Sequence, residues 1–331
     1  MLQLYCNAFW PGFIEGTDPV HVHFFLELLS KTFEQSIEIT QDPAKADILL
    51  ESLFGTSILP SRSWKYTVFF SGESRICPNY KEYDCVLWGE PTRDNIICCP
   101  EFITYLYSTK LLNELDPTNG VLASSACRGL GSVIGDDAVN VVEASELISE
   151  TSGICEQMPM KRICVIISNP NGQIRNNFLD ILERYFQVDY VGKYRNNTTQ
   201  LTAPYTSLEF RQFISKYRCI VSMENSRGTD YVTEKITHGL LAGTVPIYWG
   251  AKNVGKYFNT DRFIHLEEWD EEYIGMVINH VMAVMTDDDY YQKIIQQPCF
   301  VDGEGNPSHR LCRTIDNIAT EMRVVFLRKE N

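Results

Sequence analysis

Short apolar runs alternate with longer amphipathic segments along the N-terminal part of the chain. This alternation is typical of βα units that build a mainly parallel sheet. Apolar residues around Phe24 and Leu28 predict a helix that begins at Asp18 or Pro19, and a second helix is expected to begin near Pro100. The strands predicted here are residues 2–6, 48–53, 66–70 and 84–88. The pattern therefore predicts an α/β sheet in this part of the chain.

The same alternation restarts after an acidic stretch between Glu143 and Met160. An apolar run at residues 163–167, a polar loop at 168–175 and a helix that carries Phe178, Leu182 and Tyr185 predict a second βα sheet. We place a domain boundary here, which gives domains of residues 1–157 and 158–331. Open α/β sheets bind ligands at the carboxyl ends of their strands, so two facing sheets predict a ligand in the cleft between them.

The composition is that of an ordinary globular protein, with 331 residues of which 44% are hydrophobic. Lysine and arginine number 29 and aspartate and glutamate 43, which gives a formal net charge of −14. Such a charge repels phosphate backbones and anionic lipid headgroups, which argues against nucleic acid as a partner. An anionic ligand must then be held by a few local cations and backbone N–H groups.

Neither a targeting segment nor a membrane span is predicted. The first 30 residues contain no Lys or Arg, and the apolar run from Gly239 to Gly250 contains Pro246 and falls short of the roughly 20 residues that cross a bilayer. The chain has 11 cysteines, without the spacing of a zinc module or of a paired disulfide framework. We therefore expect reduced thiols and a cytoplasmic location.

Residues 217–250 are the most informative stretch. They predict a strand at 219–223, a polar loop at 224–229 and a helix that Asp230 caps and Gly243 ends. One helix face is polar at its N-terminal end and carries Tyr231, Glu234, Lys235 and His238. Free N–H groups at this helix start, with Lys235 and a loop that contains Asn225 and Arg227, suit a diphosphate. The alternative is a solvated surface face on which Glu234 pairs with a cation.

Two further loops follow predicted strands. Arg175 lies close to a helix start, where its guanidinium could hold a phosphate through two hydrogen bonds, although an exposed arginine in a turn is the alternative. Glu73 follows an apolar strand and Gly72, where its carboxylate could accept a proton from a sugar hydroxyl. The alternative is a loop carboxylate paired with Arg75.

Three other motifs are interpreted as structural. Asp287, Asp288 and Asp289 contain a D-x-D pattern, but they lie between two helical patterns and are typical of helix capping before Tyr290. The remaining motifs are the glycines at 129, 131 and 135, which miss the dinucleotide-binding spacing, and the pair His21 and His23, which lacks a third metal ligand nearby.

The run ENSRGTDYVTEKITHGLLAGTVPIYWG resembles the donor-binding signature of the α-1,3-fucosyltransferases, glycosyltransferase family 10. SNPNGQIRNNF resembles an upstream arginine motif of that family, and residues 69–80 are similar to the segment that bears its catalytic glutamate. The resemblance covers residues 162–269 well and 64–95 weakly. It implies a GT-B fold of two Rossmann-like domains that face each other across a cleft, with an N-terminal acceptor-binding domain and a C-terminal GDP-fucose-binding domain.

The resemblance also implies an activity, namely inverting transfer of L-fucose from GDP-β-L-fucose to a glycan hydroxyl, such as O3 of GlcNAc or a related sugar. Glu73 would be the general base, and Arg175 and Lys235 would hold the diphosphate. Asn225, Tyr231 and Glu234 would be further donor contacts, with Glu234 also catalytic at the anomeric carbon. A metal ion would not be required, although Mn²⁺ or Mg²⁺ could stimulate turnover.

One departure and two alternatives accompany this interpretation. Phe70 stands where some family members have a tyrosine, so one hydroxyl contact to the donor would be missing. The first alternative is another inverting GT-B transferase with a different nucleotide sugar or linkage. The second is a glycan-binding module that has lost catalysis.

Overall fold

The computed structural model describes residues 1–108, 158–308 and 311–330. The glycines at 129, 131 and 135 lie outside the described residues. Two sheets of parallel strands organise the described chain, one on each side of the segment between residues 108 and 158. The expected α/β architecture of two sheets is therefore confirmed.

The N-terminal sheet has six parallel strands in the order β2-β1-β3-β4-β5-β6. The four predicted strands are present, and the structure adds β2 and β6, which are only three residues long and carry too little pattern to be recognised. The bounds are β1 Leu2–Asn7, β2 Ile37–Ile39, β3 Ile48–Glu51, β4 Tyr66–Ser71, β5 Cys85–Trp88 and β6 Ile96–Cys98.

The first predicted helix begins later than expected. Helix α1 runs over Val22–Phe33, and His21 is its N-cap residue because the His21 side chain accepts from the His23 backbone N–H. The predicted start at Asp18 or Pro19 is wrong, since the Asp18 carboxylate caps the preceding turn by accepting from the Val20 N–H at 2.9 Å. The apolar face of α1 is buried as predicted, and the helix near Pro100 is α2, Glu101–Ser108.

The second sheet has five parallel strands in the order β11-β10-β9-β7-β8. The strands predicted at residues 163–167 and 219–223 are present as β7 and β9, which begin three and two residues earlier than predicted. The helix around Phe178 is present but ends at Leu182, before Tyr185. The strands are β7 Met160–Val165, β8 Val188–Tyr190, β9 Tyr217–Val221, β10 Val245–Tyr248 and β11 Ile264–His265.

Helices flank this second sheet and a short hairpin follows it. The helices are α3 Gln173–Leu182, α4 Leu208–Ile214, α5 Glu234–Leu241, α6 Glu271–Thr286 and α7 Asp288–Ile295. The hairpin joins β12 Phe300–Val301 to β13 Pro307–Ser308. Asp287 caps α7 by accepting from the Tyr290 N–H at 3.0 Å, which confirms the structural interpretation of the D-x-D pattern.

The last helix, α8 Ile315–Glu330, returns to the N-terminal sheet. It packs against α1, β5 and β6, and the rings of Phe33 and Phe326 lie 4.9 Å apart. The predicted C-terminal domain, residues 158–331, therefore contributes one helix to the face of the first sheet. The boundary at 157/158 adjoins the segment that is not described and stays a prediction.

Both sheets share one topological feature. The strand order reverses between β1 and β3 in the first sheet and between β7 and β9 in the second, and ligands bind at such reversals, beyond the carboxyl ends of the strands. Glu73 follows β4 and Asn225 follows β9, and both line one cavity. The two sheets therefore face each other with their carboxyl ends, as predicted.

Two properties of the described residues bear on the remaining expectations. In residues 1–108, 158–308 and 311–330, every helix is too short or too polar to cross a bilayer. The nine cysteines in the described part of the chain are free thiols, and Cys98 and Cys99 are buried.

Candidate active site

Two adjoining cavities lie where the two sheets meet. The smaller, of about 180 Å³, belongs to the second sheet and is lined by Arg175 and the polar face of α5. The larger, of about 320 Å³, lies between the domains and is lined by Glu73, Tyr231 and Glu101. Asn225, Glu234 and Lys235 line both. All six residues predicted for the site thus lie on the wall of one cavity or the other.

Arg175 lies in the first turn of α3, and only 3% of it is exposed. Its guanidinium donates to the Asn225 side chain and to the backbone carbonyls of Asn169 and Asn171. Its buried Nε has no hydrogen-bond partner within the described residues. A Cβ at Gly172 would lie 3.1 Å from an Arg175 amino group, so glycine leaves room for the guanidinium. The alternative of an exposed arginine is wrong.

Burial lowers the pKa of Arg175, but a guanidinium starts from so high a value that it stays charged at neutral pH. The three acceptors and the close glycine fix its position before any ligand arrives. Arg175 is therefore a preorganised positive charge at the carboxyl end of β7.

Lys235 is held by a buried carboxylate. Its Nζ lies 3.1 Å from Glu224 Oε2, 2.8 Å from Thr233 Oγ1 and 3.7 Å from Glu234 Oε1. Burial would lower the pKa of Lys235, but Glu224 and Glu234 outweigh that effect and raise it. Glu224 has 0% exposure; burial raises its pKa and Lys235 counteracts the rise. Lys235 is therefore a fixed cation on the wall of both cavities.

The N-terminus of α5 differs from its prediction. Thr233, and not Asp230, is the N-cap residue, and its side chain accepts from the Lys235 N–H. Asp230 is instead used in tertiary contacts, since its carboxylate accepts from the Tyr257 hydroxyl at 2.8 Å and its backbone N–H donates to the Gly89 carbonyl of the other domain. The segment before α5 therefore follows the surface of the N-terminal domain and turns into a helix three residues later.

The free amide groups expected at this helix start are also occupied. The Glu234 N–H donates to Glu101 Oε2 at 3.0 Å, and the Thr233 N–H donates to Glu224 Oε1 at 2.8 Å. The hypothesis that these amides bind a diphosphate is therefore wrong. The cations near this helix start, Lys235 and Arg175, remain on the cavity walls.

Glu234 meets a carboxyl group from the opposite domain. Burial raises the pKa of Glu101 well above its ordinary value, and the neighbouring Glu234 raises it further. Burial would also raise the pKa of Glu234, but Lys235 outweighs burial and lowers it. The pKa of Glu101 is thus raised while that of Glu234 is lowered, which favours the proton on Glu101 and the negative charge on Glu234, so Glu234 is more than a surface residue paired with a cation.

Glu73 lies on the N-terminal side of the larger cavity, directly after β4. Its backbone carbonyl accepts from Trp88 Nε1 at 2.9 Å, which fixes the loop. Next to it, the Ser74 and Ser226 hydroxyls hydrogen-bond across the domain interface. Glu73 thus lines the cavity that Glu234 and Lys235 of the second domain also line.

Aromatic residues complete the larger cavity. The rings of Trp10 and Phe54 are 5.2 Å apart and perpendicular, and Phe54 is 47% exposed. Tyr231 is buried on the opposite side, and a Cβ at Gly228 would lie 2.6 Å from the Tyr231 Cβ, so that glycine permits the close approach. Phe70 lines the cavity and packs edge-on against Phe25 at 4.9 Å.

Sequence reasoning missed Glu101 and Glu224 and overestimated Arg227. Arg227 is ion-paired with Glu268 at 2.8 Å and also donates to the Glu267 carbonyl. Glu224 directly precedes Asn225 at the carboxyl end of β9, a position that could have marked it as a candidate. Glu101 gives no such signal, because its partner Glu234 lies 133 residues away. Among the described residues, no group of three or more His, Cys, Asp or Glu side chains is placed to hold a metal ion.

Known proteins resemble the part of the chain that builds the second sheet. Residues 157–302 match the family model described as glycosyltransferase family 10 (fucosyltransferase), C-terminal. This match covers less than half of the chain, and it shows that these residues are similar to glycosyltransferase family 10. The resemblance noted in the donor-binding signature is thereby confirmed.

Two curated relatives show how far the likeness extends. The α-(1,3)-fucosyltransferase FucT of Helicobacter pylori is 36% identical over 137 residues, which are 39% of this chain and 28% of that protein. The α-(1,3)-fucosyltransferase 4 of Mus musculus is 29% identical over 131 residues, 38% of this chain and 29% of that protein. The chain thus spans less than a third of the length of these relatives.

A solved structure covers the chain more fully. The crystal structure of an α1,3-fucosyltransferase with GDP matches with a TM-score of 0.71 and 21% identity, over 100% of this chain and 90% of that one. This likeness shows the fold, which is of the GT-B type that the sequence led us to expect.

Proposed function

We propose that this chain transfers L-fucose from GDP-β-L-fucose to a glycan hydroxyl with inversion, O3 of GlcNAc or a related sugar being the expected position. One observation carries the proposal. The cleft between the sheets holds two fixed cations, Arg175 and Lys235, on one side and a carboxylate, Glu73, on the other. That combination matches a reaction in which a diphosphate leaves and an alcohol attacks.

The diphosphate is assigned to Arg175 and Lys235. Charge gathers on the phosphate oxygens as the bond to fucose breaks, and fixed cations stabilise that charge without reorganising. The N-cap residue of α3, Gly172, makes no side-chain capping bond, so the amide groups at that helix start add further donors. With these groups in place the reaction needs no divalent metal, although Mn²⁺ or Mg²⁺ could still stimulate it.

The acceptor is assigned to the larger cavity. The Glu73 carboxylate takes the proton of the acceptor hydroxyl, and the oxygen forms its bond to the anomeric carbon from the face opposite the diphosphate. The bond from that carbon to the phosphate oxygen breaks, and its electron pair leaves with GDP. Glu234, with Asn225 and Tyr231, contacts the donor, and its negative charge favours the positive charge that develops at the anomeric carbon.

The aromatic wall suits a sugar acceptor. A pyranose ring presents an apolar C–H face that packs on an aromatic ring, and Phe54 offers an exposed ring beside Trp10. These rings lie on the same wall as Glu73, which would place a hydroxyl of the stacked sugar near the base.

A donor panel separates this proposal from the alternatives. The chain is incubated with GDP-fucose, GDP-mannose or UDP-sugars and a glycan array, and nucleotide release and glycan labelling are followed. We expect release of GDP and labelling with GDP-fucose. Turnover with a UDP-sugar alone would replace the proposal by the first alternative, and glycan binding without nucleotide release would replace it by a binding module.

We also propose a cytoplasmic location, which the free thiols at all nine described cysteines support because thiols persist in reducing compartments. Fractionation of cells that produce the chain tests this, and recovery with an oxidising compartment would contradict it.

A further inference from the structure

Glu101 joins the start of α2 in the N-terminal domain to the start of α5 in the second domain. Its Oε2 accepts from the Glu234 N–H at 3.0 Å. The next residue, Phe102, donates its backbone N–H to the Val232 carbonyl at 3.2 Å. Two adjacent hydrogen bonds therefore connect the two helix starts across the cleft.

The side chains of Glu101 and Glu234 also hydrogen-bond to each other. Two carboxyl groups in such contact share a proton, because two negative charges at this distance repel strongly. Lys235 lies 3.7 Å from Glu234 and holds the negative charge there, so the proton belongs to Glu101. Glu101 Oε2 then accepts from the Glu234 backbone N–H, and a proton on Glu101 would be donated to the Glu234 carboxylate.

The stem of Glu101 also touches the other side of the cavity. A Cβ at Gly72 would lie 3.2 Å from Glu101 Cγ, so the glycine before Glu73 leaves room for this side chain. Glu101 therefore lies between the loop that carries Glu73 and the helix that carries Glu234.

We propose that Glu101 is a positioning residue, whose carboxyl group holds Glu234 at the start of α5 toward the donor sugar and sets its distance from Glu73. The proposal rests on the proposed function, because it assigns Glu101 a part in that same reaction. It predicts that the hydrogen-bonding capacity of residue 101 is required and that a negative charge there is not.

A pH dependence follows from the surroundings of Glu101. The titratable and charged groups near it are Glu73 across Gly72, Cys99 and Tyr105 beside it, and Glu224, Tyr231, Glu234 and Lys235 from the second domain. Burial and Glu234 raise the pKa of Glu101, so the neutral form persists above the ordinary carboxyl range and is lost as pH rises through the raised pKa. The ionised form repels Glu234, and a decline of turnover on the alkaline side is expected.

The test compares Glu101→Gln with Glu101→Ala in the full chain. Glutamine can still accept from the Glu234 N–H and donate to its carboxylate, whereas alanine can do neither. We expect Glu101→Ala to lower kcat by about 10- to 100-fold, the scale of a misplaced catalytic group, with a smaller change in GDP affinity. Glu101→Gln is expected to recover most of that loss and to shift the alkaline decline to higher pH.

Glu90→Ala is the matched control. The Glu90 carboxylate accepts from the Thr229 N–H at 3.2 Å, which is also a carboxylate-to-amide bond between the domains, but Glu90 lies outside both cavity linings. Its loss is expected to leave kcat close to that of the unmodified chain, and thermal unfolding of all three variants shows whether each folds.

The outcomes separate the two proposals. An unmodified chain without GDP-fucose turnover would overturn the proposed function. An active chain in which Glu101→Ala keeps its kcat, or in which Glu101→Gln loses as much as Glu101→Ala or keeps the same alkaline decline, would overturn the role of Glu101 alone.

Discussion

The pair of Lys235 and Glu224 gives a prediction in which stability and function separate. Lys235→Met keeps the length of the side chain and removes its charge. Glu224 is fully buried and would lose its ion-pair partner at 3.1 Å. Removing one member of a buried ion pair costs about 3 to 5 kcal/mol of unfolding free energy. The Thr233 N–H and hydroxyl still donate to Glu224, so we expect the lower end, about 3 kcal/mol.

The sign of the pH dependence follows from the Glu224 carboxyl. Burial already raises its pKa above the ordinary 4.5, and loss of Lys235 raises it further. A carboxyl group whose pKa is raised in the folded state destabilises the fold most above that pKa, because the buried group must then be charged. The cost of Lys235→Met is therefore expected to be small near pH 4.5 and to grow as pH rises through the raised pKa of Glu224.

The double variant Glu224→Gln with Lys235→Met supplies the control. A glutamine at 224 needs no cation, so we expect most of the stability to return and its pH dependence to flatten, while GDP binding stays weak. Denaturant unfolding at pH 5 and pH 8 measures the stability, and we expect the loss of unfolding free energy in Lys235→Met to be about twofold or more larger at pH 8 than at pH 5. Calorimetric titration with GDP measures the binding of GDP. Equal losses at both pH values, or full GDP binding by the double variant, would refute the reasoning.

Three further changes test the assignments in the cleft. Glu73→Gln is expected to lower fucose transfer by about 100-fold or more while GDP binding persists, as kinetics and titration would show, and unchanged transfer would reassign the base. Arg175→Lys keeps a charge but cannot donate to both the Asn225 side chain and the Asn169 carbonyl, so GDP affinity should fall by about 10-fold. An unaltered GDP affinity by titration would contradict the assignment. Phe54→Ala should raise the KM for the acceptor and leave that for GDP-fucose, and the reverse result would place the acceptor elsewhere.

Local sequence patterns predicted the two sheets and predicted that the site residues lie at their carboxyl edges, because both depend on residues that are close together in the chain. Runs such as residues 66–70 are apolar throughout, and parallel strands buried on both faces have this pattern. Glu73, Arg175 and Asn225 each follow a strand directly, so parallel pairing alone brings them to the carboxyl edges of the sheets. The roles of these residues stay predictions.

The errors at the site came from contacts between distant residues. Asp230 is a good N-cap residue by local preference, but its bonds to Tyr257 and to the Gly89 carbonyl fix it outside the helix. Glu101 acquires its importance from Glu234, which lies far along the chain. Short strands such as β2 were missed because three residues carry too little periodicity. The sequence of a single segment does not show such contacts with distant residues.

The return of α8 to the first sheet constrains how the cleft can open. The polypeptide crosses between the sheets once between β6 and β7 and again between β13 and α8. Relative movement of the two sheets is then expected to leave α8 with the first sheet, because α8 packs against α1, β5 and β6 there.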